Sequence, residues 1–500
     1  MIDETTDINN REQVTIVIRR IDENLEVCEE FIGLYTVDTI NASTLFSVIK
    51  DTFIRLNLPM TKLRGQCYDG CSTMSGCKTG VAKRVRDEEP RAVFTHCYSH
   101  SLNLAANDYV KKSPLMKASL ETTHEITKLV KLSPRRDAIF RQLKAESDSL
   151  SDKKSLSIRL LCPTRWTVRA DSLLSIIDNY SVLLSTWDEA YEAVKDTESK
   201  ARIQGVHSQM ESFNFLFGTV LGEILLRHTD NLSKSLQHKT RCAAEGQGIG
   251  DMVVRTLQSL RSDECYDLFW LKVTKMAESF DIEPQLPRRR KVHRKYDHGS
   301  AEGEFHDTPK AYFKQHYFEA IDLAVNCIQD RFKQPGYEVY QHLELLLLKA
   351  SENKDYETEF DFVTTFYGED LQPANLHAQL VTFGMDFQGS CDLGERKPDI
   401  FDIKKYFCSL TSAQRDLLSQ VCIVLKLVLI MPATNSTSER SFSALRRLKT
   451  YLRNTISQER LNNLIVLHVH KDITDTLNLK SICNEFIGDS EHGHRLFGTY

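Results

Sequence analysis

Residues 13–34 read QVTIVIRRIDENLEVCEEFIGL, and this stretch decides the class of fold at the start of the chain. Two strand-like runs, Gln13–Arg20 and Leu25–Leu34, flank the turn-prone residues 22–24. Runs rich in β-branched and aromatic residues on either side of a short polar link are typical of a β-hairpin. The segment therefore predicts an antiparallel pair of strands.

The residues that follow alternate between helical and strand-like patterns. Apolar residues recur at helical spacing over Thr44–Leu56, and Gly80–Asp87 and His100–Val110 are also expected to be helices. Leu63–Tyr68 and Ala92–Cys97 read as short strands. A hairpin followed by alternating helices and strands predicts a mixed sheet with helices packed on it, an α/β arrangement.

From about residue 115 to 430, amphipathic segments alternate with polar connectors and strand signals are rare, which predicts a large, mainly helical region. Residues 284–308 are poor in apolar side chains and rich in charge, so an exposed loop is expected there. Near the C-terminus, an apolar helix is predicted over Leu417–Met431. Two more helices follow, over Ser436–Arg453 and within Ile456–His470.

Composition and charge narrow the classes of function. Apolar residues make up 41% and charged residues 27% of 500 residues, which suits a soluble chain of several domains. Lys and Arg number 64 against 69 Asp and Glu, so any nucleic-acid surface must be a local patch. No apolar run reaches the ~20 residues that span a bilayer, and no secretory signal is expected. Thirteen scattered cysteines favour a reducing, intracellular compartment.

Three acidic residues stand out by position. Asp3 lies in DETTD, Asp69 ends a predicted strand in GQCYDG, and Glu439 opens a predicted helix in NSTSER. Carboxylate oxygens bind hard divalent cations, and three such acids can hold two Mg²⁺ ions ~3.5–4 Å apart for phosphodiester chemistry. Each acid also has a structural interpretation: a surface acid at Asp3, turn chemistry at Asp69, and a capping box that pairs Glu439 with Ser436. Spacing alone leaves both interpretations open.

Five motifs in order resemble one family. DETTD, QCYDGCSTMSG, THCYSHSLNLA, CPTRW and PATNSTSERSFSALRRLKTYLRNTISQERLNNLIVLHVH together are similar to the hAT superfamily of DNA transposases, in the branch with zinc-finger MYM-type proteins. The resemblance runs from the first residues to about residue 475. It implies an RNase H-like mixed sheet interrupted by a large all-helical insertion, with C-terminal helices completing the core.

The domain limits follow from this organisation. Residues 1–112 form the first part of the core, 113–400 the helical insertion with its polar loop, 401–480 the C-terminal helical dimerisation region, and 481–500 a tail. The protein is expected in the nucleus. Its expected partners are DNA and a second copy of itself, with no membrane.

The resemblance also assigns roles to particular residues. It implies a D-D-E site at Asp3, Asp69 and Glu439 that uses Mg²⁺ or Mn²⁺ for DNA strand cleavage and transfer. Cys97 and His100 match the C-x-x-H element of the family, although a lone C-x-x-H makes a bound zinc unexpected.

DNA contacts are expected at two places. Arg165 and Trp166 match the Arg-Trp of the insertion, where an indole can stack on an unpaired base for ~1–3 kcal/mol. A basic run that includes Arg288, Arg289, Arg290 and Lys291 has three possible roles: a phosphate contact, a nuclear import signal or a solvated loop.

The C-terminal helices carry the residues expected to dimerise. These residues share helical spacing along the last two predicted helices of the matched region: Phe442, Leu445, Leu448, Leu461, Leu464 and Leu467. One strip of such a helix pair can pack on the core while a second strip remains for a partner. Self-association is therefore expected here.

Two departures from the family pattern leave two functions open. Only Met1 and Ile2 precede Asp3, so the first strand of the core is expected to be missing or severely shortened, holding Asp3 loosely. No Cys/His set typical of a zinc finger precedes the core. The chain is then either a metal-dependent transposase or catalytic remnant, or a non-catalytic interaction protein that acts in transcription or chromatin.

Overall fold

The computed structural model describes residues 1–149, 156–158, 169–237, 243–287, 306–390 and 396–488, with residue 495. Several predictions fall elsewhere: Arg165, Trp166 and the basic run from Arg288 to Lys291 lie outside the described residues, as does most of the predicted loop 284–308. The described chain is α plus β, with many helices and two small sheets. None of the described helices combines the length and apolar character needed to cross a bilayer.

The chain divides into two compact units. Unit 1 combines residues 1–97 with residues 336–500, and unit 2 is the continuous segment 98–335. The predicted division placed 98–112 with the first part of the core and 336–400 with the insertion. Residues 98–112 belong to unit 2 because their helix packs along the helix that ends at Phe332, with Tyr98 stacked on Phe332 at 4.8 Å between ring centres.

Residues 336–400 belong to unit 1 because they pack on its strands. The Tyr340 hydroxyl donates to the carbonyl oxygen of Arg64 at 3.2 Å, and the Arg64 guanidinium forms an ion pair with Asp370. Gly336 lies so close to the Phe94 carbonyl that an added Cβ would sit 1.9 Å from its oxygen. Only glycine permits this approach of the helix to the strand.

All five strands found in the described residues lie in unit 1. The three antiparallel strands pair in the order β1-β2-β3, and β4 and β5 form a separate parallel pair, with β4 lying beside β1. The strands are β1 (Ile2–Thr6), β2 (Glu12–Ile21), β3 (Val27–Val37), β4 (Gly65–Tyr68) and β5 (Val93–His96).

Thirteen helices of unit 1 lie within the described ranges, three between its strands and ten after unit 2. They are α1 (Ala42–Arg55), α2 (Ser72–Ser75), α3 (Val81–Glu88), α14 (Pro335–Ser351), α15 (Glu357–Phe366), α16 (Pro373–Ser390), α17 (Ile400–Ser409), α18 (Ser412–Leu417), α19 (Ser419–Ile430), α20 (Ser436–Leu448), α21 (Gln458–Val469), α22 (Lys471–Thr474) and α23 (Leu479–Gly488). Short 3₁₀ turns cover Met60–Lys62 and Tyr451–Arg453.

The described part of unit 2 consists of ten helices. They are α4 (Tyr98–Lys112), α5 (Pro114–Lys131), α6 (Pro134–Ser149), α7 (Arg169–Asp178), α8 (Tyr180–Ala193), α9 (Thr197–Met210), α10 (Phe213–Leu236), α11 (Ala243–Ser259), α12 (Asp263–Glu278) and α13 (Pro309–Phe332). The long helix α10 packs against α4, α5, α7 and α11. Its Phe217 contacts Phe269 and Phe313 with ring centres 5.2 and 4.7 Å apart, so aromatic burial supports this unit.

Alternation along β2 places its side chains on two separate cores. Val14 and Ile16 pack with Leu45 and Ile49 of α1, whereas Val17 packs on the other face with α20 and α21. Successive side chains of a strand point to opposite faces of the sheet. The strand β2 carries apolar side chains on both faces, and both faces are buried. The three-stranded sheet is therefore a layer between helices.

The predicted hairpin is present and longer than expected, and β1 was not foreseen as a strand. Asp3 was expected just ahead of the first strand, but it lies within β1, opposite Thr15 of β2. Only Ile2 of this strand is strongly apolar, so its sequence lacks the usual strand signal. Pairing with β2, rather than the apolar character of β1, makes this segment a strand.

A buried ion pair fixes the end of the DETTD motif. The Lys449 ammonium donates to Asp7 Oδ2 at 2.5 Å, and both side chains are at most 2% exposed. Asp7 also accepts from the amides of Asn9 and Arg11 at 2.7 and 3.1 Å and from the Gln13 amide group at 3.1 Å. Burial opposes ionisation, but these donors, led by Lys449, hold the pKa of Asp7 below its usual value.

We predict that Asp7→Asn lowers the free energy of unfolding at pH 7 by about 3–5 kcal/mol, because Lys449 is left buried without its counter-charge. Denaturant unfolding measures the change. As a matched control, Arg20→Met removes the exposed Arg20–Glu30 pair and should cost no more than about 1 kcal/mol. Equal effects of the two substitutions would contradict a special role for the buried pair.

The same substitution has a defined pH dependence. A carboxyl group whose pKa is lower in the folded chain stabilises the fold fully above its unfolded pKa, about 3.9, and loses that effect as the pH falls through the folded pKa. The difference between the wild type and Asp7→Asn should therefore shrink below about pH 4. Unfolding curves measured from pH 7 down to pH 3 test this.

Candidate active site

The three acids proposed from the sequence all belong to unit 1. Asp3 lies in β1 and is half-buried, and its Oδ1 accepts from the amide of Glu4 at 3.0 Å. Asp69 directly follows β4, and Glu439 lies in the first turn of α20, both half-buried. Because β4 lies beside β1 and α20 packs on β1, three segments distant in sequence converge at one end of the sheet.

Asn435 connects the start of α20 to β1. Its buried side-chain amide donates to the carbonyl oxygen of Ile2 at 2.8 Å, and its Oδ1 accepts from the hydroxyl of Ser438 at 2.6 Å. Its backbone N–H donates to Cys97 Sγ at 3.2 Å. Asn435 therefore holds Glu439 near Asp3 through hydrogen bonds on both sides.

The capping box proposed for Glu439 does not form. Asn435, rather than Ser436, is the residue before the helix, and Ser436 is already its first helical residue. A capping box needs the serine at the cap position, with the glutamate three residues later bonded back to it. The carboxylate of Glu439 is therefore not engaged in capping the helix.

Turn chemistry does account for part of the conformation of Asp69. Its Oδ1 accepts from the amide of Cys71 at 3.2 Å, a local turn bond. Burial, with the hydrogen bond to Asp69, raises the pKa of the Cys71 thiol to about 12, so this thiol stays neutral. An added Cβ on Gly70 would lie 2.6 Å from the His96 ring, so a larger residue here would displace that ring.

The carboxylates interact electrostatically. Burial raises the pKa of Asp3 well above its usual value, and the nearby charges of Glu439 and Asp69 raise it further. Burial and the charge of Asp69 raise the pKa of Glu4 to about 7, and burial raises that of Glu439. Like charges forced together in a poorly hydrated place favour protonation, which is the effect seen here.

The carboxylate oxygens at this place are the kind of ligand that a hard divalent cation prefers. The acids offer carboxylate oxygens, and Glu4 Oε2 is buried without a hydrogen-bond partner. A cation at this place would offset the mutual repulsion that raises the pKa values. Across the described ranges, however, no three acidic, histidine or cysteine side chains are yet close enough together to hold a metal ion.

Other predicted residues have different surroundings. Cys97 is buried and its Sγ accepts the amide of Asn435, whereas His100 lies in α4 of unit 2. Of the two residues of the C-x-x-H element, Cys97 thus belongs to unit 1 and His100 to unit 2.

The six residues predicted to dimerise divide into two groups. Phe442, Leu445 and Leu461 are buried in the core of unit 1 with Val17 and Phe31 of the sheet. They serve intrachain packing because α20 and α21 turn one apolar strip onto the sheet. The other three differ: Leu448 and Leu464 are half-buried, and Leu467 is 46% exposed.

Sequence reasoning missed Glu4 and Asn435. Glu4 lies inside DETTD, next to the predicted ligand Asp3, and an acid next to a candidate ligand is itself a signal. Asn435 precedes Ser-Thr-Ser-Glu, and an asparagine at a helix start is a typical cap. Its hydrogen bond to Ile2 crosses 433 positions, which no local pattern reveals.

Two family models match this chain, both within unit 1. The model described as "ZMYM1/FAM200, RNase-like domain" matches residues 1–80, and the "hAT family C-terminal dimerisation region" matches residues 395–473. The first match includes Asp3 and Asp69, and the second includes Glu439. The matched ends of the sequence are thus the parts that carry the three acids.

Curated relatives extend the similarity along the chain. The human and mouse proteins named "52 kDa repressor of the inhibitor of the protein kinase" are 26% and 25% identical over 500 and 497 residues, covering 95% of this chain. The chain spans 62% of the length of each. A bovine "General transcription factor II-I repeat domain-containing protein 2" is 30% identical over 88 residues, 17% of this chain and 9% of that protein.

The order of the motifs, the two matched regions and these relatives confirm the resemblance drawn from the sequence: the chain is similar to hAT transposase-like proteins, and its residues 395–473 match the C-terminal dimerisation region of that family.

Proposed function

We propose that unit 1 is an RNase H-like core whose carboxylates act on DNA phosphodiesters with a divalent cation. The pairing of β1, β2 and β3, with β4 beside β1 and β5 beside β4, supports a mixed sheet in the order β3-β2-β1-β4-β5. The match to an RNase-like domain supports the same architecture. The observation that carries the proposal is the packing of β4 and of the start of α20 on β1, which brings Asp3, Asp69 and Glu439 to one place. The raised pKa of Asp3 agrees with it.

Asp3, Asp69 and Glu439 would hold Mg²⁺ or Mn²⁺ through carboxylate oxygens. When bound, such a cation activates a water or hydroxyl nucleophile and stabilises the leaving oxygen of a phosphodiester. The residues around it position the ligands: Asn435 fixes Glu439 against β1, and the lack of a side chain on Gly70, next to Asp69, leaves room for the His96 ring. These supports are the preorganisation that a metal site needs.

Protonation of Asp3 and Glu4 makes the proposed site sensitive to pH. Since the pKa of Asp3 is raised and that of Glu4 is about 7, part of the cluster carries protons near neutrality. Carboxylates must lose their protons to hold a cation, so Asp3 and Glu4 would favour cation binding more as the pH rises. In this scheme the carboxyl oxygens of Asp3 and Glu4 store protons when the site is empty.

DNA is the proposed substrate, and the proposed location is the nucleus. Arg165, Trp166 and the run Arg288–Lys291 are the proposed DNA contacts, and they lie outside the described residues. The relatives whose names refer to a repressor and to a transcription factor support a nuclear role.

A second function, without catalysis, has its own support. The acids are not close enough for three of them to hold a metal as they stand in the described chain, and the relatives are named for repression rather than transposition. In this alternative the chain is a host-adopted interaction protein that dimerises and acts in transcription or chromatin. Metal binding separates the two functions.

We predict that Mn²⁺ binds the purified chain at pH 8 and that Asp3→Asn, Asp69→Asn and Glu439→Gln each weaken binding at least about tenfold, because each removes one charged ligand. Titration calorimetry measures the binding, and nicking of supercoiled plasmid DNA measures the activity. Asp38→Asn, at an exposed acid outside the cluster, is the control and should bind like the wild type. No Mn²⁺ binding by the wild type would favour the non-catalytic alternative.

The cost of ionising Glu4 near the other acids can be tested by a stability measurement in the absence of metal. The pKa of Glu4 is higher in the folded chain, about 7, than its unfolded value near 4.3, so ionisation costs stability as the pH rises between these values. In EDTA, Glu4→Gln should therefore raise the free energy of unfolding at pH 8 by about 1 kcal/mol, after allowing for solvent screening, and should not raise it at pH 4. Glu23→Gln, at an exposed turn, should change it little at either pH.

We further propose that the chain forms homodimers through the exposed apolar residues at the end of unit 1. Leu467, Ile473 and Leu477 are 46%, 57% and 43% exposed, and Leu479 and Phe486 are exposed further along. Apolar side chains clustered in consecutive helices are typical of an interface. Of these residues, Leu467 and Ile473 lie within residues 395–473, which match the hAT dimerisation region and support the proposal.

Point substitutions test dimerisation better than truncation, because removing residues after 433 would also remove Phe442 and Leu461 from the core. The double substitution Leu467→Glu with Ile473→Glu should convert a dimer into a monomer at micromolar concentration, since two charges would have to be buried. Light scattering measures the mass. Ile54→Glu, on the exposed face of α1, should leave the dimer intact, and a monomeric wild type would refute the proposal.

A further inference from the structure

A concavity of about 440 Å³ lies in unit 1 where β1 and α20 end. Volumes of ~300–1,000 Å³ are typical of ligand sites. Two segments line it, the end of β1 with the turn after it and the end of α20 with the residues after it: Thr5, Thr6, Asp7, Ile8, Leu445, Arg446, Lys449 and Thr450. The acids Asp3, Asp69 and Glu439 do not line it, so it is a space distinct from the proposed metal site.

Three contacts hold α20 along the sheet in the direction of β1. Asn435, just before the helix, donates to the start of β1 at 2.8 Å. Ser441, in the middle of the helix, donates to Thr15 of β2 at 3.1 Å, in the part of β2 that pairs with β1. Lys449, just after the helix, donates to Asp7, just after β1, at 2.5 Å. The helix and the strand therefore run side by side in the same direction.

Both elements lead from the acids to the concavity. In β1, Thr5 lies two residues beyond Asp3 on the same face, about 7 Å further at ~3.3 Å per residue. In α20, Arg446 lies seven residues beyond Glu439, which is two turns and about 10 Å further along the same face of the helix. The concavity therefore continues the line on which the proposed metal site lies.

Arg446 gives the concavity a positive charge that no acid neutralises. Its side chain is exposed, and within the described ranges it has neither an ion-pair nor a hydrogen-bond partner. The other two charged groups of the lining, Lys449 and Asp7, form a buried ion pair and cancel each other. The charge that the lining offers to a ligand is therefore that of one guanidinium group.

Two hydroxyl groups add neutral donors. The side chains of Thr5 and Thr450 make no hydrogen bond to any residue that the structure describes. The hydroxyl of Thr6 is already engaged, because it donates to Glu12 Oε1 at 3.1 Å. A guanidinium with nearby hydroxyls is a donor set typical of phosphate contacts in protein–DNA complexes. The concavity is thus suited to an anion with several acceptor oxygens.

The spacing between the acids and these donors suits a polynucleotide. One strand of B-DNA advances about 3.4 Å along the helix axis per nucleotide. The steps of about 7 and 10 Å along β1 and α20 therefore correspond to about two or three nucleotides. A strand whose phosphodiester lies at the acids can place a neighbouring phosphate beside Arg446.

We propose that this concavity binds a backbone phosphate of the DNA strand, about two or three nucleotides from the phosphodiester that lies at Asp3, Asp69 and Glu439. Arg446 is its charged donor, and the hydroxyls of Thr5 and Thr450 are its neutral donors. This inference rests on the proposed function, since it takes DNA as the substrate. Arg446 is a positioning residue because it holds the strand and does not touch the reacting phosphodiester.

The salt dependence of DNA binding tests the proposal. Binding of a fluorescent DNA duplex to the full chain is measured in EDTA by fluorescence polarisation, at salt concentrations from about 50 to 200 mM. Each phosphate contact adds about 0.9 to the steepness of log K against log salt. Arg446→Ala should therefore lower this steepness by about 0.9 and weaken binding about tenfold at low salt, whereas Arg446→Lys keeps the charge and should keep the steepness.

The next residue in the helix provides a matched control. Arg447 is also exposed but does not line the concavity, so Arg447→Ala should leave the salt dependence as in the wild type. Thr5→Val removes a neutral donor and should weaken binding without changing the steepness. Equal losses from Arg446→Ala and Arg447→Ala would contradict a specific site, because they would reflect only the total charge of the chain.

Mn²⁺ titration of the same variants separates this inference from the proposed function. Arg446→Ala should bind Mn²⁺ like the wild type, since it removes no carboxylate. DNA binding that depends on Arg446 in a chain that binds no Mn²⁺ would support the phosphate site and count against metal-dependent cleavage. An unchanged salt dependence in Arg446→Ala, no DNA binding by the wild type, or displacement of the DNA by a phosphoserine peptide at equal ionic strength would each overturn the phosphate site.

Discussion

The hydrogen bonds of Asn435 are the constraint on which the proposed site depends. This one residue bonds to Ile2 beside Asp3, to Cys97 at the end of β5, and to Ser438 beside Glu439. A buried amide that lost these partners would leave unsatisfied groups, at a cost of about 1–3 kcal/mol for each.

The same convergence works against stability. Bringing Asp3, Asp69 and Glu439 together raises the pKa of Asp3, which means that the folded chain resists full ionisation of the cluster. The ion pair of Asp7 with Lys449, four residues further along DETTD, acts in the opposite sense. One short motif therefore combines an acid that disfavours the folded state when ionised with an acid that favours it. Functional sites commonly carry such a local cost, offset by packing elsewhere.

How much could be predicted from the sequence depends on how local the signal is. The β2–β3 hairpin, α1 and α20 were predicted because their apolar spacing is local. β1 was not, because its residues are polar and it becomes a strand only through its ladder with β2. The convergence of Glu439 with Asp3 rested on family resemblance, since no periodicity links positions so far apart. The buried state of Phe442 and Leu445 likewise depends on which strip of α20 meets the sheet, which only the tertiary structure reveals.

The discontinuity of unit 1 has a consequence for the newly made chain. Unit 2 is one uninterrupted segment, so it can fold as soon as it leaves the ribosome, whereas the strands of residues 1–97 must await α20 and α21. At about 5–20 residues per second, that interval is on the order of 20 to 70 seconds. During that interval α20 and α21 have not yet been synthesised, so they cannot cover the apolar side chains of β2 and β3 on which they will pack. Until then, the N-terminal hairpin exposes apolar surface that favours aggregation.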